Sequence, residues 1–226
     1  MSTSDGYING TYKIVDHGPD AQRYNIVILG DGYRASEIAK FRSDAKDFTD
    51  TMRATAPFND LWCGINVHVV EVISTDSGAD DPATCSDGST GSGASPKTYF
   101  DSTFCGDGKT RRLLTCDSTS AKNVAHTQVP SSHEVTMVIV NTTQYGGSGG
   151  EVATFSTDPR AAEIGMHEMG HTAFGFADEP DAVSGREWRR QRASGDGAQP
   201  GQGALLRSSA QRQVAWVLGH GRGPPV

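Results

Sequence analysis

Asp158-Pro159-Arg160-Ala161-Ala162-Glu163-Ile164-Gly165-Met166-His167-Glu168-Met169-Gly170-His171-Thr172-Ala173-Phe174-Gly175 reads as one helix with its own start and stop. Asp158 is a good N-cap and Pro159 a good first helical residue. Gly175 suits the left-handed conformation that ends a helix. Ala162, Met166, Met169 and Ala173 recur at helical spacing and form an apolar stripe. His167 and His171 are four residues apart, so they share the opposite face. The helix is therefore expected to bury its back in a core and turn both imidazoles toward a cleft.

That face has a definite chemistry. Two imidazoles one turn apart can grip a single ion, and Glu168, between them, can reach a water on it. This H-E-x-x-H pattern is the core of zinc-dependent peptide hydrolysis, with the glutamate as general base. The competing reading is a surface helix with two unrelated histidines; the caps and the stripe argue against it. Zinc needs a third protein ligand and an open position. Gly175 would break the helix and carry Asp178 back toward the metal, so Asp178 is the expected ligand. Glu179 and then Glu187 are the alternatives, and an ordinary loop carboxylate is the competing reading of Asp178.

Working outward, Val135–Val140 reads as an apolar, mostly β-branched run, as a buried strand should be. Tyr12–Val15, Tyr24–Leu29 and Ile65–Ile73 read as further strands, and Val152–Phe155 as the edge strand. Ser36 can cap a helix running to about Thr55, with Ile38, Phe41, Ala45, Phe48 and Met52 along one side. Residues 74–97 read as a long polar loop, 98–128 as irregular with short helical turns, and Gly146–Gly150 as a flexible turn. This order predicts an α/β fold: a mixed, twisted sheet with helices packed on it. An extended peptide could then pair with the edge strand just before the metal helix.

The net charge of −7 is uneven. Residues 180–226 hold seven arginines, no lysine and three acidic residues, for +4. Residues 1–179 hold thirteen basic and twenty-four acidic residues, for −11. An acidic body argues against nucleic acid as a partner, and the Arg186–Arg192 cluster has too little around it to reverse that. No stretch is long and apolar enough to span a membrane. Cys63, Cys85, Cys105 and Cys116 include no C-x-x-C pair, which excludes a thiolate zinc site of that kind. In an exported protein the even count predicts two disulfides, with three possible pairings; in a cytosolic one it predicts four buried thiols. Cys85 and Cys105 bracket a Ser-, Gly- and Thr-rich loop that a bond between them would tie down.

Several other features need weighing. Gly146-Gly147-Ser148-Gly149-Gly150 fits the G-x-S-x-G elbow of serine hydrolases, which would make Ser148 a nucleophile. The elbow needs a strand running straight in and a helix straight out, and neither is expected here. Asp76, Asp80 and Asp81 could offer hard oxygens to calcium, but their spacing is not that of an EF-hand loop and a solvated acidic loop is the simpler reading. His68 alternates with Val67 and Val69 and is expected to face out or satisfy a local bond. Asp31, at a strand end, is expected to be structural.

Asn25–Tyr33, Pro57–Asn59, Ile65–Val70, Ser77–Pro82, Tyr145–Gly150 and Glu163–Glu179 together make the chain similar to a known family. Over residues 20–179 it resembles the IgA-peptidase family of zinc metallopeptidases, the igalysins, within the metzincin-like group. The resemblance implies a metzincin-like metallopeptidase architecture and endopeptidase activity on a polypeptide substrate. It also implies a zinc cofactor, His167 and His171 as ligands, Glu168 as general base and Asp178 as third ligand. Family members are usually exported. Met1–Tyr12 is polar and lacks the apolar run of a secretory signal, so an extracellular protein whose leader is not part of this chain is expected, acting as a monomer, with cytoplasmic residence as the competing reading. The resemblance breaks after Glu179, where Pro180 follows. No methionine lies beyond Met169 and no tyrosine beyond Tyr145, so a methionine turn beneath the metal and an oxyanion-steadying tyrosine are missing from their usual places. Residues 1–179 are thus expected to be the catalytic domain. Residues 180–226 read as an Arg- and Gly-rich tail, disordered or translated out of frame. If that tail replaces the floor of the site, the alternative function is a catalytically impaired protein that binds zinc and polypeptide.

Overall fold

The computed structural model describes residues 5–129 and 133–175. Six strands form one mixed sheet: β1 (Gly6–Val15), β2 (Tyr24–Asp31), β3 (Ile65–Ser74), β4 (Val135–Val140), β5 (Gly147–Ser148) and β6 (Ala153–Ser156), in the order β1-β3-β2-β4-β6-β5. The pairs β3–β2, β2–β4 and β4–β6 are parallel, and the outer pairs β1–β3 and β5–β6 antiparallel.

Alternation along the strands gives the sheet two apolar faces. Ile26, Ile28, Val67, Val69, Met137 and Ile139 point to one side, where α1 (Ile38–Ala54), the short α2 (Phe58–Leu61) and α4 (Ala161–Phe174) pack. Val27, Leu29, Val70, Val72, Val138 and Val140 point to the other, covered by α3 (Ser118–Gln128) and by Phe100, Phe104 and Leu114 of the long loop. Strands covered on both faces lose the polar–apolar alternation of a half-buried sheet, and every residue of β2, β3 and β4 is buried. The expected mixed α/β sandwich is the observed fold.

Four expectations are corrected. β1 has ten residues rather than four; pairing with β3 makes strand of Gly6–Thr11, whose own sequence is a weak strand signal. Within 98–128 the chain forms the regular helix α3, started by the Asp117 carboxylate, which accepts the Ser120 amide at 3.1 Å. Gly146–Gly150 is not a free turn: it contains β5, which pairs with β6 and takes the edge position assigned to Val152–Phe155. The outward groups of Gly147 are themselves taken, since its N–H donates to Arg112 O (3.1 Å) and its carbonyl accepts from Leu114 N (3.4 Å). A further strand therefore cannot pair with Gly147 through these groups while residues 112–114 are in place. Finally, one disulfide rather than two forms among the described residues, Cys85–Cys105, with Cα atoms 6.2 Å apart; Cys63 and Cys116 are free thiols.

The remaining polar features are structural. Asp31 is fully buried and accepts from the amides of Phe100 (3.0 Å) and Ser102 (3.2 Å) and the hydroxyls of Ser74 and Ser102, anchoring the long loop to the end of β2. His68 takes the second of its two expected places: it is buried, 3.3 Å from Asp20. Asp76 accepts the Lys97 amide, and Asp81 pairs with Arg111 and accepts the Ser92 amide. These two carboxylates hold loop backbone, and no calcium-like cluster forms around them among the described residues. Asp178, Glu179, Glu187 and the 180–226 tail lie outside the described residues.

Candidate metal centre

α4 follows β6 and returns across the sheet. It starts at Ala161, two residues later than its sequence suggests. Asp158 acts ahead of the helix: its carboxylate accepts the Arg160 amide (2.9 Å) and its carbonyl the Ala161 amide (2.7 Å). The helix ends as expected, with Gly175 in the left-handed region at φ 62°. Ala162, Met166 and Ala173 pack against the core beside the buried Met169. Gly165 is the part of this face that the apolar stripe does not show. A Cβ there would lie 2.7 Å from the Phe48 ring and 2.9 Å from that of Phe155, so its absence lets α4 sit close on the sheet and α1.

Opposite this anchored face, His167, Glu168 and His171 converge. One ligand atom from each lies within 4.8 Å of the others, and the two histidine Nε2 atoms are 3.1 Å apart. The rings meet edge to face, with centroids 4.6 Å apart. A tetrahedral zinc with bonds of 2.0–2.1 Å would hold two imidazole nitrogens about 3.4 Å apart. The observed separation fits that demand, and it is also short enough for a direct imidazole–imidazole hydrogen bond. Two imidazole nitrogens are donors zinc accepts, and the Glu168 carboxylate lies beside them. His167 is exposed and Glu168 and His171 half-buried, so the described residues present an open face rather than the expected cleft. Two cavities lie elsewhere: one of about 470 Å³ beside Gly78, Asp81, Phe104 and Gln144, and one of about 240 Å³ between α1 and the start of α4.

The sequence thus indicated three residues that the structure brings together. It did not indicate what lies over them. The segment 147–150 runs along α4, its backbone against Ile164, Glu168 and His171, and the Gly150 amide donates to the Thr172 hydroxyl (3.3 Å). The glycine-rich spacing is visible in the sequence, but contact with a helix twenty residues later is not. Ser148 is no nucleophile elbow. It lies in β5, is only 9% exposed, and its Oγ donates to the Leu114 carbonyl at 2.6 Å. Arg160 stacks on the ring of Tyr145, which precedes this segment, 4.3 Å from its centroid.

The sequence model of the family described as IgA peptidase M64 matches residues 12–223. No curated protein matches the chain.

Proposed function

The chain belongs to the IgA peptidase M64 family, and from that membership we propose that it is a zinc-dependent endopeptidase, exported and acting as a monomer. The observation that carries the reading is the convergence of the His167 and His171 Nε2 atoms to 3.1 Å with Glu168 in reach. His167 and His171 would hold the ion, and Asp178 is proposed as the third ligand. When bound, zinc supplies a Lewis acid that acidifies a water and polarises a peptide carbonyl. Glu168 takes the proton from the attacking water and returns it to the leaving amine. Glu168 sits one position from His167 on a helix whose back is clamped by Gly165 and Met169, so its carboxylate approaches the reacting atoms without reordering the backbone.

The substrate class is polypeptide, as for any peptidase, and immunoglobulin A enters only through the family's name. No helix among the described residues is long and apolar enough to cross a membrane. The Cys85–Cys105 disulfide supports export, since such bonds persist in oxidising compartments.

Metal analysis combined with cleavage of an unbiased peptide library tests the proposal. The wild type should carry one zinc and cut internal bonds, and chelation should abolish cutting. Glu168→Gln should keep the zinc and lose rate by about a hundredfold to ten-thousandfold, the usual worth of a general base. Stoichiometric zinc with no turnover in the wild type would instead favour the impaired, binding-only alternative.

A further inference from the structure

We infer that Gly147 is a positioning residue for Glu168: its missing side chain leaves the space the general base occupies. The inference rests on the proposed role of Glu168 and adds a residue to it. A Cβ on Gly147 would lie 3.0 Å from Glu168 Oε1, 3.1 Å from its Cγ and 2.7 Å from Ile164 Cγ2. The first two contacts are tighter than real Cβ atoms normally tolerate, and the third does not occur without a shift.

What has to move decides the outcome, and the backbone of Gly147 is the part least able to. Its N–H is bound to Arg112 O (3.1 Å) and its carbonyl to Leu114 N (3.4 Å). It lies opposite Phe155 in the β5–β6 ladder. The neighbouring Ser148 hydroxyl is tied to the Leu114 carbonyl at 2.6 Å. On the other side, α4 cannot back away, because Gly165 already lets it rest against Phe48 and Phe155. Ile164 is buried against the core and has little room. The Glu168 carboxylate is the far end of a flexible side chain, so it yields. A methyl group at 147 therefore displaces the base while both histidines stay in place.

The contrast with Gly149 sharpens the prediction. A Cβ there would meet His171 Cβ at 2.5 Å and the Glu168 carbonyl at 3.0 Å, which are helix atoms rather than the base. Gly147→Ala should therefore act on turnover, and Gly149→Ala on the metal.

The test uses the full chain loaded with zinc. Turnover and KM are measured on one peptide from the library, zinc affinity by competition with a chromophoric chelator, and folding by thermal unfolding. Gly147→Ala should lower kcat by about a hundredfold, as misplacement of a catalytic group by an ångström does. Its KM and zinc affinity should stay near the wild type's, while the unfolding midpoint falls as Ile164 gives way. Gly149→Ala should weaken zinc binding. A folded Gly147→Ala with wild-type kcat overturns the inference, and so does one that loses zinc affinity in step with turnover. If Gly147→Ala does not fold, Gly147→Ala with Ile164→Ala decides. That pair removes the 2.7 Å clash and keeps the one with Glu168, so kcat should remain low relative to Ile164→Ala alone; restored kcat overturns the inference. Failure of the underlying reading is separate: it would show as wild-type turnover in Glu168→Gln, whatever residue 147 does.

Discussion

Glu168 has ligand atoms of His167 and His171 within 4.8 Å and Gly147 close against its side chain. The histidines depend on helix geometry alone, because i and i+4 side chains meet on any regular helix. Their pairing was therefore legible from five residues of sequence. His171→Ala removes one of the two convergent nitrogens, so it should abolish stoichiometric zinc binding in a chelator-competition titration while the fold survives, since neither imidazole is buried in the core. The confinement of Glu168 was not legible, because Gly147 reaches it only when a short edge strand folds over the helix. Ser148 teaches the same lesson in reverse. Its local pattern fits a nucleophile, and only its burial and its bond to Leu114 show that the hydroxyl serves the strand.

The elements that support the site differ in what stabilises them. α3 packs Ala121, Val124 and Ala125 on the sheet face opposite α4 and starts on one capping carboxylate. Asp117 has its pKa lowered by hydrogen bonds from the Ser120 side chain and amide, so the cap binds its charged form. Asp117→Ala should cost about 1 kcal/mol, the usual worth of an N-cap, and lower the unfolding midpoint by a few degrees. α3 escaped notice in the sequence because its apolar residues are few and small. The loop before it is long and polar yet ordered, held by Asp31, Asp76, Asp81 and the Cys85–Cys105 bond. That bond closes a loop of sequence separation 20, for which loop closure gives about 3 kcal/mol. Reduction, or Cys105→Ser, should lower the unfolding midpoint. It should also lower turnover, because the loop continues into residues 112–114, which pin Gly147. Unchanged turnover in the reduced protein would disconnect the loop from the site.

Across the whole molecule, four central parallel strands lie between two helical layers, and polar groups inside them must be matched. His68 is such a group. Burial lowers its pKa, while Asp20 and Asp16 oppose that shift and Lys13 adds to it. Its folded pKa thus lies below its unfolded one, so the unfolded chain takes up the proton first. The stability it contributes is present above the unfolded value of about 6.5 and is lost as pH falls through the lower folded value. The unfolding midpoint should fall as pH drops below about 6.5, and His68→Gln should flatten that part of the profile. The sequence determined the helix that carries His167 and His171, its end at Gly175, three of the buried strands and the α/β class. All of these are written in local periodicity and capping, which depend on neighbours within a few turns. The tertiary structure alone decided which strand became the edge, which cysteines paired and what walls in the Glu168 carboxylate. Each of those depends on segments twenty or more residues apart meeting across the sheet, and no local pattern records such a meeting.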